Sequence, residues 1–150
     1  MYIVSKCLLG YNCKYSGGNN RDERVIDFCN SHQFVAVCPE DLGGLKSPRA
    51  PAEIIGSSVI DSEGKDVTDE FKLGARIALD IAKKESEGLN DEIEGAILKA
   101  NSPSCGAGAV YDGTFSNVRI NGDGLFTKLL RPLNIEIKTE EDFKIMGVEK

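Results

Sequence analysis

Residues 34–40 read Phe34-Val35-Ala36-Val37-Cys38-Pro39-Glu40. Four consecutive apolar residues, bounded by a proline, describe a short strand covered on both faces, the kind that parallel sheets use. A thiol and a carboxylate follow where that strand must end. The same arrangement occurs twice more. Tyr2-Ile3-Val4 leads to Cys7, and Ala96-Ile97-Leu98 leads to Asn101-Ser102-Pro103-Ser104-Cys105-Gly106. If the three strands lie parallel in one sheet, their carboxyl ends share an edge, and open α/β sheets build their sites there.

Between these runs the pattern changes to that of helices. Residues 21–31 place Val25 and Cys29 one turn apart. Residues from Thr68 onward repeat Phe71, Ala75, Ala78 and Ala82, with Thr68 expected as the N-cap and Asp69 and Glu70 in the first turn. Lys83 and Lys84 suit the end of that helix, with Gly88 beyond it. Asp123 is expected to cap a last helix carrying Leu125, Leu129 and Leu130. Pro132 would end it, ahead of a final strand from Ile135 to Lys138. Gly43, Gly44, Pro48 and Pro51 predict a rigid loop, and Val59-Ile60 a short β excursion turning at Glu63-Gly64. Strands alternating with helices predict a three-layer α/β domain with a mostly parallel sheet, in one domain spanning 1–150.

The formal net charge of −6 is uneven. Residues 61–94 hold eleven acidic and five basic side chains, and residues 136–150 hold five and three. Eight acidic and ten basic side chains remain elsewhere, where every cysteine lies. That small excess does not support a nucleic-acid partner on charge alone. No apolar run approaches the ~18–20 residues that span a bilayer, and the start lacks the pattern of a signal peptide. A cytoplasmic, monomeric protein is the expectation.

Five cysteines, odd in number and irregularly spaced, suit a reducing compartment better than a disulfide framework. There is no CxxC pair and no zinc-ribbon spacing. Cys29, on an apolar helix face, reads as a small core residue. Cys7, Cys38 and Cys105 read as ligands of a metal or an iron–sulfur cluster. Cys13 is a possible fourth ligand, which would give a filled, non-catalytic site. Three thiolates on a four-iron cluster would instead leave one iron free of protein, open to a soft ligand such as a thiocarbonyl sulfur.

Several neighbours read either way. Glu40 is a solvated loop carboxylate or a general base. Ser102 and Ser104 form a turn or touch a ligand. Arg49 and Glu53 form an ion pair or a substrate clamp. Gly17-Gly18 makes a turn or admits a ligand. Tyr15, Tyr111 and Phe115 stack on a ring or pack, with packing favoured for Phe115. His32 is expected at a helix end on the surface. Neither a GxGxxG nor a P-loop pattern is present.

Taken in order, five motifs resemble the thiouracil desulfurase family over about residues 2–138. They are Cys7-Leu8-Leu9-Gly10 with Asn12-Cys13, Cys38-Pro39-Glu40 with Leu42-Gly43-Gly44, and Pro48-Arg49 with Pro51-Ala52-Glu53. Asn101 to Gly106 and Tyr111-Asp112-Gly113-Thr114-Phe115 complete the set. The resemblance implies a Rossmann-like domain, a [4Fe-4S] cluster on Cys7, Cys38 and Cys105, and non-redox replacement of a thiopyrimidine's sulfur by oxygen. It implies Glu40 and Ser102 as catalytic side chains, with Ser104 an alternative to Ser102. Ser104, Asn12, Arg49 and Tyr111 are the expected substrate contacts. The expected partner is a thiopyrimidine or thionucleoside. Relatives with an added second domain act on 4-thiouridine in tRNA, and this chain carries no such addition.

Overall fold

A computed structural model describes residues 1–145. Four strands form one parallel sheet: β1 (Tyr2–Ser5), β2 (Phe34–Val37), β5 (Gly95–Leu98) and β8 (Glu136–Thr139), in the order β2-β1-β5-β8. Alternation along each strand divides its side chains between two faces. Ile3, Ala96 and Leu98 pack with α3 (Thr68–Leu89) and α4 (Leu125–Leu130) on one face. Val4 and Ile97 pack on the other with Val25 and Cys29 of α1 (Glu23–Asn30) and Phe143 of α5 (Glu140–Ile145). Both faces are covered, so the expected three-layer α/β architecture is present. The described residues contain no helix long and apolar enough to cross a membrane.

The sheet fixes where a site can form. From β1 the chain turns towards β2 on one side, and from β5 it turns towards β8 on the other. The crevice where the winding reverses therefore opens at the carboxyl ends of β1 and β5. A short helix, α2 (Pro39–Leu42), leaves β2 at the same edge. Two antiparallel hairpins flank it: β3 (Ala52–Ile55) with β4 (Ser58–Asp61), and β6 (Ala109–Tyr111) with β7 (Arg119–Asn121). The first is the predicted excursion, with Gly64 at positive φ in the following turn. The second has no strong periodic signal, because β7 is exposed on both faces.

Three helix-end expectations are corrected. Thr68 is the first helical residue rather than the cap. Asp66 Oδ1 accepts the Thr68 N–H at 2.9 Å, while Thr68 Oγ1 accepts the N–H of Val59 at 2.8 Å. α3 runs through Gly88 to Leu89, and Asn90 in the left-handed region ends it, so Lys83 and Lys84 lie within the helix. Gly124 rather than Asp123 precedes α4. Asp123 instead accepts the Gly108 N–H and pairs with Arg131, whose guanidinium holds its carboxyl below the usual range. The last strand begins at Glu136.

Candidate metal centre and active site

Cys7 lies in a single 3₁₀ turn, Lys6–Leu9, that follows β1 directly. Gly10, at φ 98°, closes that turn by donating its N–H to Cys7 O. The chain then doubles back, and Asn20 Nδ2 donates to Cys7 Sγ at 3.3 Å. Cys38 sits immediately before α2, where the Asp41 N–H reaches its sulfur. Cys105 is buried in the loop after β5. That loop is held by the start of α4: Leu125, Phe126 and Thr127 donate their N–H groups to Pro103 O and Ser104 O. Thr127 Oγ1 donates to Cys105 O at 3.0 Å. Helix donors that have no intrahelical partner thus fix a thiol loop.

All three thiols, with Cys13, line one cavity of about 410 Å³ at the sheet edge. Burial pushes the Cys7 and Cys105 thiols above their ordinary range, offset in part by Asn20 at Cys7 and by Ser5 and Ser104 at Cys105. Cys38 differs. The Cys13 thiol donates to it and brings its pKa down to about 7, and the same bond pushes Cys13 up. When protonated, Cys38 gives its own hydrogen to Cys13 O at 3.7 Å. Cys29 lies apart in the core with its pKa raised by burial to about 11, as its helix position predicts.

No three His, Cys, Asp or Glu side chains among the described residues stand close enough to hold one metal ion. A cubane cluster is several ångströms across and takes each thiolate at a separate corner. Spaced thiols facing one cavity suit that donor set better than a single ion.

Beside the thiols runs a continuous hydrogen-bonded chain. Glu40 Oε1 accepts from Arg49 Nε at 3.1 Å and Nη2 at 2.9 Å, and Oε2 accepts from Ser104 Oγ at 2.9 Å. Ser102 Oγ lies 2.9 Å from Ser104 Oγ. It also accepts the N–H groups of Ser104 and Cys105, at 3.1 and 3.0 Å. Two acceptor positions of a hydroxyl are then filled, so Ser102 donates to Ser104 and Ser104 donates to Glu40. Ser104 is the serine that touches the carboxylate, and Ser102 stands one bond behind it.

Arg49 is fully committed. Nη1 donates to Leu45 O and Ser47 Oγ, Nη2 to Cys13 O and Glu40, and Nε to Glu40. All five donors of a guanidinium are used, so Arg49 fixes Glu40 and offers no free donor to a ligand. Its ion-pair partner is Glu40 rather than Glu53. Glu53 Oε1 instead accepts the N–H groups of Gly113 and Phe115, at 3.0 and 3.1 Å. The motifs around Glu53 and Tyr111 thereby meet in space.

The remaining expectations divide. Tyr15 and Tyr111 line the cavity. So does Phe115, which is 40% exposed at positive φ and is not a core residue. Asn12 does not line it. It sits over an adjoining shallow hollow, where its Oδ1 accepts from Asn19. Gly17 and Gly18 close a turn with Lys14. His32 is exposed and stacks on Phe28 at 3.9 Å. Asn20 was not singled out by sequence, since an isolated loop asparagine carries no spacing signal.

Comparison with known proteins places the chain in a family. The family profile described as 2-thiouracil desulfurase matches residues 2–142. An uncharacterized protein of Bacillus subtilis (strain 168), YbbK, is 37% identical over 152 residues, covering 95% of this chain and 97% of the relative. A solved structure of the [4Fe-4S]-dependent thiouracil desulfidase TudS superposes with a TM-score of 0.83. It is 38% identical, with 98% of this chain and 95% of that one covered.

Proposed function

Because this chain belongs to the 2-thiouracil desulfurase family, we propose that it hydrolyses the carbon–sulfur bond of a thiolated uracil, using a [4Fe-4S] cluster held by Cys7, Cys38 and Cys105. The observation that carries this reading is the shared cavity: three strand-end thiols and an oriented Glu40–Ser104–Ser102 chain open on the same space. When bound, such a cluster supplies a Lewis-acidic iron free of protein ligands, matched to a soft thiocarbonyl sulfur.

The protein's own groups manage the proton and the ring. Water adds to the thiocarbonyl carbon, oxygen replaces sulfur, and the sulfur leaves as sulfide with no net electron transfer. Glu40 receives the water's proton at Oε2, directly or through Ser104 Oγ, within reach of the 2.9 Å contact between them. Arg49 holds Oε1 in a fork and keeps the carboxylate aimed. Ser102 holds Ser104 in its donating orientation. Tyr111 and Tyr15 offer faces for the pyrimidine ring. A cavity of about 410 Å³ must take both cluster and substrate, which favours the free base over a nucleoside or tRNA.

The test is anaerobic reconstitution to about four irons per chain, followed by incubation with 2-thiouracil, 4-thiouracil, 4-thiouridine and thiolated tRNA. Sulfide and uracil released from a free base, with no added reductant, are expected. Fully loaded protein that releases sulfide from none of them would overturn the proposal. A second reading rests on Cys13, whose thiol stands against Cys38. As a fourth ligand it would leave no open iron and give a non-catalytic centre.

A further inference from the structure

Glu53 is a buried carboxylate that the chemistry above does not use. It is 9% exposed and lines the cavity. No cation pairs with it among the described residues, and the one guanidinium at the cavity, that of Arg49, is fully engaged elsewhere. Its Oε1 is held by two backbone N–H groups of the 113–115 loop, and its Oε2 has no hydrogen-bond partner among the described residues. Every fully buried side-chain N or O among the described residues does have a partner, so this free oxygen is one that solvent reaches. A buried carboxylate without a counter-charge is costly to a fold. One that lines a binding cavity, is oriented by two donors and keeps its second oxygen within reach of solvent is placed to accept a hydrogen bond.

Resting on the desulfurase reading, we infer that Glu53 Oε2 accepts a ring N–H flanking the thiocarbonyl carbon and so selects pyrimidines that carry that donor. Thiouracils and their uracil products present N–H groups beside the reacting carbon. A ring methylated there would lose the bond and press a methyl group against the carboxylate. Sites that hydrogen-bond a substrate group reject analogues lacking it far more strongly than apolar pockets do, because the polar partner is left unpaired. Glu53 also ties this selection to the cavity wall, since the loop it fastens carries Phe115 and follows Tyr111.

Glu53→Gln separates the two duties. The glutamine carbonyl can still accept from Gly113 and Phe115, while its NH₂ turns a donor towards the cavity in place of an acceptor. In cluster-loaded protein the substitution should leave iron content and Tm unchanged. It should raise the KM for 2-thiouracil and the Kd for uracil, read by titration calorimetry, by about 10- to 100-fold, as for the loss of a charged hydrogen bond. Among the N1-methyl and N3-methyl derivatives of 2-thiouracil, the wild type should bind one as weakly as Glu53→Gln does. For that derivative the substitution should make no further difference. Wild-type turnover with Glu53→Gln matching it in KM and Kd would overturn the assignment alone. If the variant fails to fold, equal wild-type affinity for 2-thiouracil and both methyl derivatives would overturn it as well. Wild-type protein that neither binds uracil nor releases sulfide would overturn the desulfurase reading and this inference together.

Discussion

Gly74, in the second turn of α3, lies against the carbonyl of Pro39 so closely that a Cβ at Gly74 would stand 1.8 Å from that oxygen. The contact is reciprocated at Gly43, where a Cβ would stand 2.0 Å from Glu70 O. α2 therefore rests backbone to backbone on α3, and the residue after Pro39 is Glu40. Two glycines set the depth at which the proposed base enters the cavity.

Gly74→Ala and Gly43→Ala should each destabilise the fold by about 1–3 kcal/mol or more, since neither backbone can yield without moving α2. Gly88→Ala, in the same helix with nothing within 4 Å of the added Cβ, should stabilise by about 0.5–1 kcal/mol. Denaturant midpoints measure all three. Equal, small effects at Gly74 and Gly88 would contradict the packing described.

Glu40→Gln should leave the cluster spectrum intact and lower kcat by about 10²–10⁴-fold, the usual weight of a positioned base. Arg49→Lys, which removes the fork, should lower kcat less. In a Glu40→Gln background it should add almost nothing, because both changes act through one carboxylate. Additive losses in the double variant would show that Arg49 has a separate role.

In metal-free protein under reducing conditions, Cys38 should be the first thiol alkylated by iodoacetamide. Its pKa is about 7, so its thiolate, and hence the rate, should rise from pH 6 to 8 with a midpoint near 7. Cys29, at about 11, should stay unmodified throughout that range. Peptide mass mapping against pH reads the order. Cys29 reacting ahead of Cys38 would refute it.

Replacing Cys13 tests the ligand set. Cys7→Ser, Cys38→Ser and Cys105→Ser should each lose most of the reconstituted iron, whereas Cys13→Ala should retain it. In the metal-free state Cys13→Ala should move the Cys38 alkylation midpoint upward, since its lowering comes chiefly from the Cys13 donor. Iron loss from Cys13→Ala as complete as from the other three would establish full coordination and favour the non-catalytic reading.

Much of this was legible in the chain itself. The apolar runs at 2–4, 34–37 and 96–98, each leading to a thiol, carried the parallel sheet and its functional edge, because strand period and strand length are local properties. Motif order carried the family. Helix ends were read less well at Thr68, Gly88 and Asp123. There, Asp66 just ahead of Thr68, Asn90 in the αL region past Gly88, and the carbonyls of Pro103 and Ser104 at the start of α4 satisfy the helix ends that local propensity assigned to other residues.

The sequence by itself determined that Cys7, Cys38 and Cys105 each follow a short apolar strand, since composition and length along a segment need no distant partner, whereas their place at the edge of one parallel sheet comes from strand pairing. Only the tertiary structure decided how their neighbours divide the work. Arg49 could have joined Glu53, four residues away, yet it forks onto Glu40. Ser104 rather than Ser102 meets that carboxylate, and Glu53, at the cavity, takes the N–H groups of Gly113 and Phe115 on its Oε1. These choices depend on distances between segments up to 64 residues apart. The packing of α2 against α3 and the seating of the Cys105 loop on α4 set those distances, and no local pattern encodes them.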